Sequence, residues 1–208
     1  MKAILGIIVA VVIAIAAYFG WSTYQIRQAA NGPAKEIVSE SMSKSGDTWH
    51  VSFVSKFDAP VDKIWEIYSH PERSHDLAPD NVLKSEVVSK TADSEVIDLI
   101  GRLDILPPGF KVQNIRTEYH FYPAEHRMTT KTVDFKLADI ESEYKFEPTP
   151  DGKGTILRFT QTSKDKGGIP VESVQKGALR ETYLTQVRAV NRAIGGTAQQ
   201  AEQKNEAS

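Results

Sequence analysis

Apolar and polar residues alternate with a period of two over most of the chain between Trp49 and Thr162. Such alternation is typical of strands that bury one face and expose the other, so it restricts this part of the chain to a sheet-based fold. In the first strand Trp49, Val51 and Phe53 share one face. We predict seven strands, near Trp49–Phe57, Val82–Ser89, Ser94–Leu103, Ile115–Tyr122, Arg127–Phe135, Asp139–Glu147 and Thr155–Thr162.

Two segments replace this alternation with helical spacing. Val61, Ile64, Trp65 and Tyr68 fall at i, i+3, i+4 and i+7 between two prolines, which predicts a short helix after the first strand. Short turn segments near residues 123–125 and 151–154 predict that the later strands pair as an antiparallel meander. A long helix closes the domain, with a stripe formed by Val174, Leu179, Tyr183, Val187, Val190 and Ile194.

An uncharged apolar run extends from Ala3 to Gly20 near the start of the chain. A helix of that length spans about 27 Å, enough to cross the hydrocarbon core of a bilayer. Aromatic residues cluster at its far end, as they do at membrane interfaces. We therefore predict that residues 1–24 form a transmembrane signal-anchor. The alternative is a cleaved signal peptide, for which Ala14, Ile15 and Ala16 offer a small-x-small site.

The positive charge before the apolar run, from the amino terminus and Lys2, is slightly larger than the positive charge that follows the run. This asymmetry favours a cytoplasmic amino terminus and a periplasmic or other extracytoplasmic domain in a single-pass membrane protein. Residues 25–47 show no sustained periodicity and are predicted to be a linker, in which a short strand or helical turn can form near residues 36–42. The folded domain is predicted over residues 48–194, and residues 195–208 are predicted to be a disordered tail.

Composition narrows the classes of function. Lys and Arg number 25 against 27 Asp and Glu, so the net charge of −2 gives no electrostatic basis for binding nucleic acid. Cysteine is absent, which excludes disulfides and thiolate chemistry. Glycine-rich phosphate loops are also missing, and consecutive residues such as Ser74, His75 and Asp76 cannot form a triad.

Charged residues in the middle of strands are the remaining candidates for acid-base chemistry. These are Glu118, His120 and Arg158. Strand parity places them opposite the inward aromatic residues, on the outer, solvated face of the sheet. We therefore assign no catalytic residue, and we expect no cofactor. His70, His75, Asp76 and Asp80 are candidate metal ligands, but Pro71 removes the i, i+4 helical spacing that places two imidazoles on one ion, so we expect no metal site.

One local pattern resembles a known family. It runs from Phe57 through Asp58, Ala59 and Pro60 into the short helix ending at Tyr68, and continues with a His-Pro-Glu turn at residues 70–72. Together with the order of elements, it resembles the START-like (SRPBCC) helix-grip superfamily, which includes polyketide cyclases, lipid-transfer domains and coenzyme-Q-binding proteins. The resemblance implies an α+β fold in which a seven-stranded curved antiparallel sheet wraps around the long C-terminal helix.

The resemblance also implies a cavity between the sheet and the last helix for an apolar or amphipathic ligand. Leu103–Phe110 carries two prolines and does not alternate, so it is a candidate gate over that cavity. The alternatives are a loop that dips toward the bilayer and a loop that folds onto the core of the domain itself. Strand parity and the helical stripe give the candidate ligand-binding residues, which alternatively serve as ordinary core: Phe53, Leu99, Phe110, Tyr119, Phe121, Tyr144, Phe159, Tyr183 and Val187.

Three functions are compatible with these features. The favoured hypothesis is a non-enzymatic, membrane-tethered domain that binds a hydrophobic small molecule such as a lipid, quinone or isoprenoid. The first alternative is a cyclase- or aromatase-like enzyme that uses the same cavity. The second alternative is a ligand-free interaction module of the cell envelope.

Overall fold

The computed structural model describes residues 24–104, 106, 111–167 and 171–206, with backbone only from residue 196 onward. Its helices are α1 (residues 24–31), α2 (Val61–Tyr68), α3 (Ser74–Leu77) and α4 (Glu172–Glu206). Short 3-10 turns occupy Pro71–Arg73 and Pro123–Glu125. The strands are β1 (Ser39–Ser45), β2 (Thr48–Phe57), β3 (Val82–Lys90), β4 (Ser94–Arg102), β5 (Val112–Tyr122), β6 (Arg127–Asp134), β7 (Ala138–Pro148) and β8 (Thr155–Asp165).

The strands form one antiparallel sheet in the order β1-β2-β8-β7-β6-β5-β4-β3. From β3 to β8 the order is consecutive, which confirms the predicted meander. The turn between β7 and β8 contains Gly152 with φ of 68°, a left-handed conformation that favours glycine. The helix-grip architecture is confirmed, because α4 packs against the same face of the sheet that buries Phe53, Phe159 and Leu157.

The predicted number of strands was wrong, because the sheet has eight. The additional strand is β1, which pairs with β2 from Ser39 opposite Val54 to Ser45 opposite Thr48. It lies within the range predicted as a linker, residues 25–47, and overlaps residues 36–42, for which a short strand or helical turn was allowed. Its sequence, SESMSKS, is exposed at five of seven positions, so it forms a sheet edge without the apolar face that makes a strand recognisable from its pattern.

Two further segments differ from the irregular structure predicted for them. Residues 24–31 are helical, and Ala29 and Ala30 are buried. At the other end α4 continues to Glu206, through residues for which the sequence predicts a disordered tail. No helix in the described part of the chain is both long and apolar enough to span a bilayer. The predicted membrane segment, residues 1–24, lies outside the described residues except for Tyr24.

The core centres on aromatic side chains shared by the sheet, α2 and α4. The ring of Tyr183 on α4 stacks on Phe53 at 4.5 Å and lies 5.0 Å from Phe159, measured between ring centroids. The Tyr183 hydroxyl donates to Oγ of buried Ser55 at 2.7 Å. On the α2 side, Trp65 meets Phe146 edge to face at 5.9 Å. These contacts hold α2 and α4 against the concave face of the sheet. A cavity can remain only where the sheet and the two helices are not in contact.

Candidate functional site

A cavity of about 320 Å³ lies between the concave face of the sheet, α2 and α4. Ligand pockets in proteins commonly run from about 300 to 1,000 Å³, so this volume is at the small end of that range. Most of the wall is apolar. The apolar residues that line it include Ile67, Leu99, Leu103, Leu106, Ile115, Met128, Phe135, Leu137, Ala178, Leu179, Ala189 and Val190.

Strand register explains why β4 and β5 supply much of the wall. Leu99 is opposite Ile115, and Gly101 is opposite Gln113, so their side chains share the concave face. Among the described residues, a Cβ atom added at Gly101 would meet only the Leu99 side chain, at 3.4 Å. The glycine therefore leaves room that a larger residue would occupy.

The structure divides the predicted ligand-binding residues into two groups. Leu99, Tyr119 and Tyr144 line the cavity. The others that it describes do not line it: Phe53, Phe159, Tyr183 and Val187 are buried in the core, and Phe121 packs edge to face on Trp65. Phe110 lies outside the described residues. Contact between any of these side chains and a ligand stays a prediction.

Three tyrosines, Tyr68, Tyr119 and Tyr144, contribute phenol groups to the cavity wall. Burial raises the pKa of Tyr119 to about 12, with a further contribution from nearby Glu95. Burial also raises the pKa of Tyr144, whose hydroxyl donates to Oε1 of Gln186 at 3.3 Å. Tyr68 lines the same cavity, and its buried hydroxyl has no hydrogen-bond partner among the residues that the structure describes. These phenols remain protonated donors at neutral pH.

Glu95 is a buried acidic residue that was not among the predicted site residues. Its side chain is 3% exposed and pairs with the ammonium of Lys90 at the sheet edge, while its Oε2 atom has no partner within the described part of the chain. The signal was present in the sequence, because Glu95, Ile97 and Leu99 alternate along β4 and must share one face.

The charged residues considered on β5 and β8 lie on the outer face, as strand parity predicted. Glu118 is 3.3 Å from His120, and Arg158 pairs with Glu147 at 2.9 Å, all measured between side-chain nitrogen and oxygen atoms. Glu118 and His120 border a shallow, hydroxyl-rich groove of about 610 Å³ on that face. Among the described residues, no group of three His, Asp or Glu side chains is arranged to hold a metal ion.

A second polar network closes the end of the cavity near the start of α4. Gln175 accepts hydrogen bonds from Trp49 Nε1 at 3.0 Å and Lys44 Nζ at 2.8 Å, and its Nε2 donates to Asp165 at 2.6 Å. This network holds α4 to β1, β2 and β8, and it uses both the side-chain oxygen and the side-chain nitrogen of Gln175. It leaves the Gln175 amide less available to a ligand than the phenols are.

Basic side chains appear where the predicted gate begins and ends. Arg102 and Lys111 line the cavity, and both pair with Asp104, at 3.1 and 3.6 Å. Leu106, within the predicted gate, is 5% exposed and also lines the cavity. The rest of the candidate gate lies outside the described residues except for Leu103 and Asp104.

The sequence itself matches a known protein family. Residues 48–195 match the family described as "Polyketide cyclase / dehydrase and lipid transport". The chain belongs to this family. The match spans the strands from β2 onward and most of α4, and it begins after β1. No curated protein sequence matches the chain.

Solved structures with the same fold include an aromatase/cyclase, Zhui, from Streptomyces sp. R1128. It is 16% identical with a TM-score of 0.60, over 70% of this chain and 93% of that one. A START superfamily protein from Mycobacterium smegmatis is 18% identical with a TM-score of 0.59, over 71% and 98%. A protein from Thermus thermophilus is 17% identical with a TM-score of 0.58, over 71% and 98%. The resemblance to the START-like superfamily is thus confirmed at the level of the fold.

Proposed function

We propose that the protein binds one hydrophobic small molecule in the cavity between its sheet and α4. The observation that carries this proposal is the cavity itself: about 320 Å³ with a mostly apolar wall, next to a tightly packed aromatic core. Apolar space of this size favours a ligand whose burial removes hydrocarbon surface from water. Membership in a family that includes lipid transport supports the same class of ligand.

The proposal includes a membrane anchor formed by residues 1–24, with the domain outside the cytoplasm. Lipids, quinones and isoprenoids partition into bilayers, so an anchored domain meets them at a high local concentration. The segment after the predicted anchor supports close coupling to the domain. Arg180 on α4 donates to the carbonyl oxygens of Ala29 and Gly32, at 3.2 and 2.8 Å.

A cyclase- or aromatase-like enzyme is the second candidate, and one observation favours it. Glu95 places a buried carboxylate beside Tyr119, a phenol that lines the cavity. Such a pair can move a proton in a water-poor site. The likeness to Zhui, described as an aromatase/cyclase, is consistent with this candidate but extends only to the fold.

The test is to purify the full chain in lipid nanodiscs and identify the small molecules that it retains. Organic extraction followed by mass spectrometry should find one species enriched to about one per chain over protein-free nanodiscs. Recovery of that species unchanged after prolonged incubation supports a binding protein, whereas its conversion to a product supports the enzyme. If nothing is enriched over the blank, the proposed function is wrong.

A membrane-wash experiment tests the anchor separately. A retained anchor should keep the chain in the membrane fraction after an alkaline carbonate wash, with the intact mass of all 208 residues. A shorter mature protein in the wash would show that the leading segment is a cleaved signal peptide.

A further inference from the structure

The two edge strands of the sheet differ in what they expose. β1 and β3 are the terminal strands, and in the described part of the chain no strand pairs with the outer side of either. β1 is mostly polar, and its Glu40 and Lys44 bind side chains of α4. β3 instead exposes three large apolar side chains, those of Leu83, Val87 and Val88, which are 41%, 45% and 49% exposed. Exposed apolar residues on an unpaired edge strand favour pairing with another chain.

The charges on β3 are of both signs. Ser85 is opposite Leu99, which lines the cavity, so Lys84 and Glu86 on either side of Ser85 point to the outer face of the sheet. There they pair with each other at 2.8 Å. Edge strands that avoid association commonly carry unbalanced charge or bulges. β3 has bulges toward β4 at Leu83 and Val88, but its charges balance.

The sequence of β3 is complementary to itself when one copy is read in the opposite direction. If two copies pair antiparallel with Ser85 opposite Ser85, Lys84 lies opposite Glu86 and Leu83 lies opposite Val87. Residues opposite each other point to the same face, so the four charges of the pair alternate in sign. The two neighbouring registers that keep the faces matched place Glu86 opposite Glu86, or Lys84 opposite Lys84, and both are repulsive.

Contacts within the domain limit the length of this pairing. A ring nitrogen of His75 lies 2.6 Å from the carbonyl oxygen of Val82, so the beginning of β3 is already engaged. Ser85 Oγ donates to the carbonyl oxygen of Pro71 at 3.0 Å, a contact that uses its side chain and not its backbone. We therefore expect pairing over residues 83–87.

We propose that two copies of this chain associate by antiparallel pairing of their β3 strands, centred on Ser85, so that the two sheets become continuous. The partner is a second copy because the complementarity is that of β3 with itself. One pair of strands forms an interface at the small end of the range for specific association, so we expect a dissociation constant in the micromolar range. This inference concerns assembly and does not depend on whether the cavity holds a ligand.

A cysteine cross-link tests the register, because the chain has no cysteine of its own. Opposite residues on antiparallel strands have Cα atoms about 4.5–5.5 Å apart, within the range that a disulfide requires. Ser85→Cys in the full chain, in detergent micelles, should therefore form a disulfide-linked dimer after mild oxidation with diamide. Ser89→Cys on the same strand is the matched control and should not, because its two copies would lie about 27 Å apart along the strands.

Charge reversal tests the complementarity independently. Lys84→Glu places like charges opposite each other at both charged positions of the pairing, and so does Glu86→Lys. Sedimentation velocity of the full chain in detergent should show the dissociation constant rising about tenfold in each variant and returning to the wild-type value in the double variant. This restoration separates a lost interface from a damaged fold. Lys131→Glu, on β6 within the sheet, is the control and should dimerise like the wild-type protein.

Three results would each overturn this inference. One is a wild-type chain that stays monomeric at about 200 µM, well above the expected dissociation constant. Another is equal cross-linking of Ser85→Cys and Ser89→Cys. The third is dimerisation that neither charge reversal weakens. All three leave the proposed binding function in place, because the extraction experiment tests the cavity separately.

Discussion

The guanidinium of Arg180 donates from Nε to Oε2 of Glu40 at 2.7 Å, although the two residues are 140 positions apart in the chain. Arg180 is 3% exposed, and its remaining nitrogens donate to the carbonyl oxygens of Ala29 and Gly32. One buried side chain on α4 thus holds α1, the turn after it and the β1 edge strand. The segment that follows the predicted membrane anchor is fastened to the helix that walls the cavity.

Replacing Arg180 with methionine should release this segment. The substitution keeps an unbranched apolar stem but leaves the two carbonyl oxygens and Glu40 without their donor, so we expect a loss of about 2 kcal/mol in the free energy of unfolding. The rate of amide hydrogen exchange should increase more in residues 24–40 than in β7 and β8. Arg192→Met, at an exposed position on the same helix, is the control. Unchanged exchange in residues 24–40 would show that Arg180 does not fasten them.

Filling the cavity should abolish ligand binding without unfolding the domain. Ala189 is 4% exposed and lines the cavity, so Ala189→Phe places a ring in the empty space. Because that space is already present, the usual penalty of overpacking, about 1–3 kcal/mol, should be largely avoided. Ala124→Phe, at an exposed turn, should bind ligand normally. Retained binding in Ala189→Phe, measured by equilibrium dialysis of 2-acetonaphthone, would place the ligand elsewhere.

The same substitution at two buried tyrosines should change stability in opposite directions. Tyr68→Phe removes a buried hydroxyl for which no described residue is a partner, so the free energy of unfolding should rise by about 1 kcal/mol. Tyr183→Phe removes the donor to Ser55, which is fully buried, and should cost about 1–2 kcal/mol. Urea denaturation of both variants measures the difference. Equal losses would mean that the Tyr68 hydroxyl is satisfied in the ligand-free protein.

High pH should destabilise the fold through the buried phenols. Burial raises the pKa of Tyr119 to about 12 and raises the pKa of Tyr68, Tyr144 and Tyr183 as well, against about 10 in an unfolded chain. Below pH 10 both states keep these protons and the stability is fully present. From about pH 10 to 12 only the unfolded chain releases them, so each phenol lowers stability by about 1.4 kcal/mol per pH unit.

Urea midpoints measured between about pH 8 and 11 would show this fall, and tyrosinate absorbance should appear together with unfolding. Tyr144→Phe removes one titrating group and should make the pH dependence less steep. A flat stability profile across this range would contradict the burial of the phenols.

The sequence predicted the elements whose side chains face the core, because burial on one face imposes a period of two or 3.6 on apolar residues. This periodicity is absent from β1, because SESMSKS joins the sheet through backbone hydrogen bonds and stays mostly exposed. The sequence also did not distinguish Leu99, which lines the cavity, from Phe53, which packs in the core. Both residues face inward, and alternation does not reveal whether an inward side chain meets another side chain or a void.

Glu95 shows a second reason why the sequence did not predict the whole site. Its position on the inner face follows from alternation along β4, but its pairing with Lys90 depends on a lysine at the end of the neighbouring strand. Arg180 is similar, because its partners lie near the beginning of the chain. Contacts between distant residues require the register of the sheet and the placement of α4, which no local pattern contains.

Native mass spectrometry of the full chain, ejected from nanodiscs, tests most directly whether the cavity holds a ligand. We expect a single small-molecule adduct, one per chain, in the wild-type protein and in Ala124→Phe, and its loss in Ala189→Phe. An adduct of the same mass and occupancy in all three proteins, or an unliganded mass in the wild-type protein, would contradict a ligand-binding cavity between the sheet and α4.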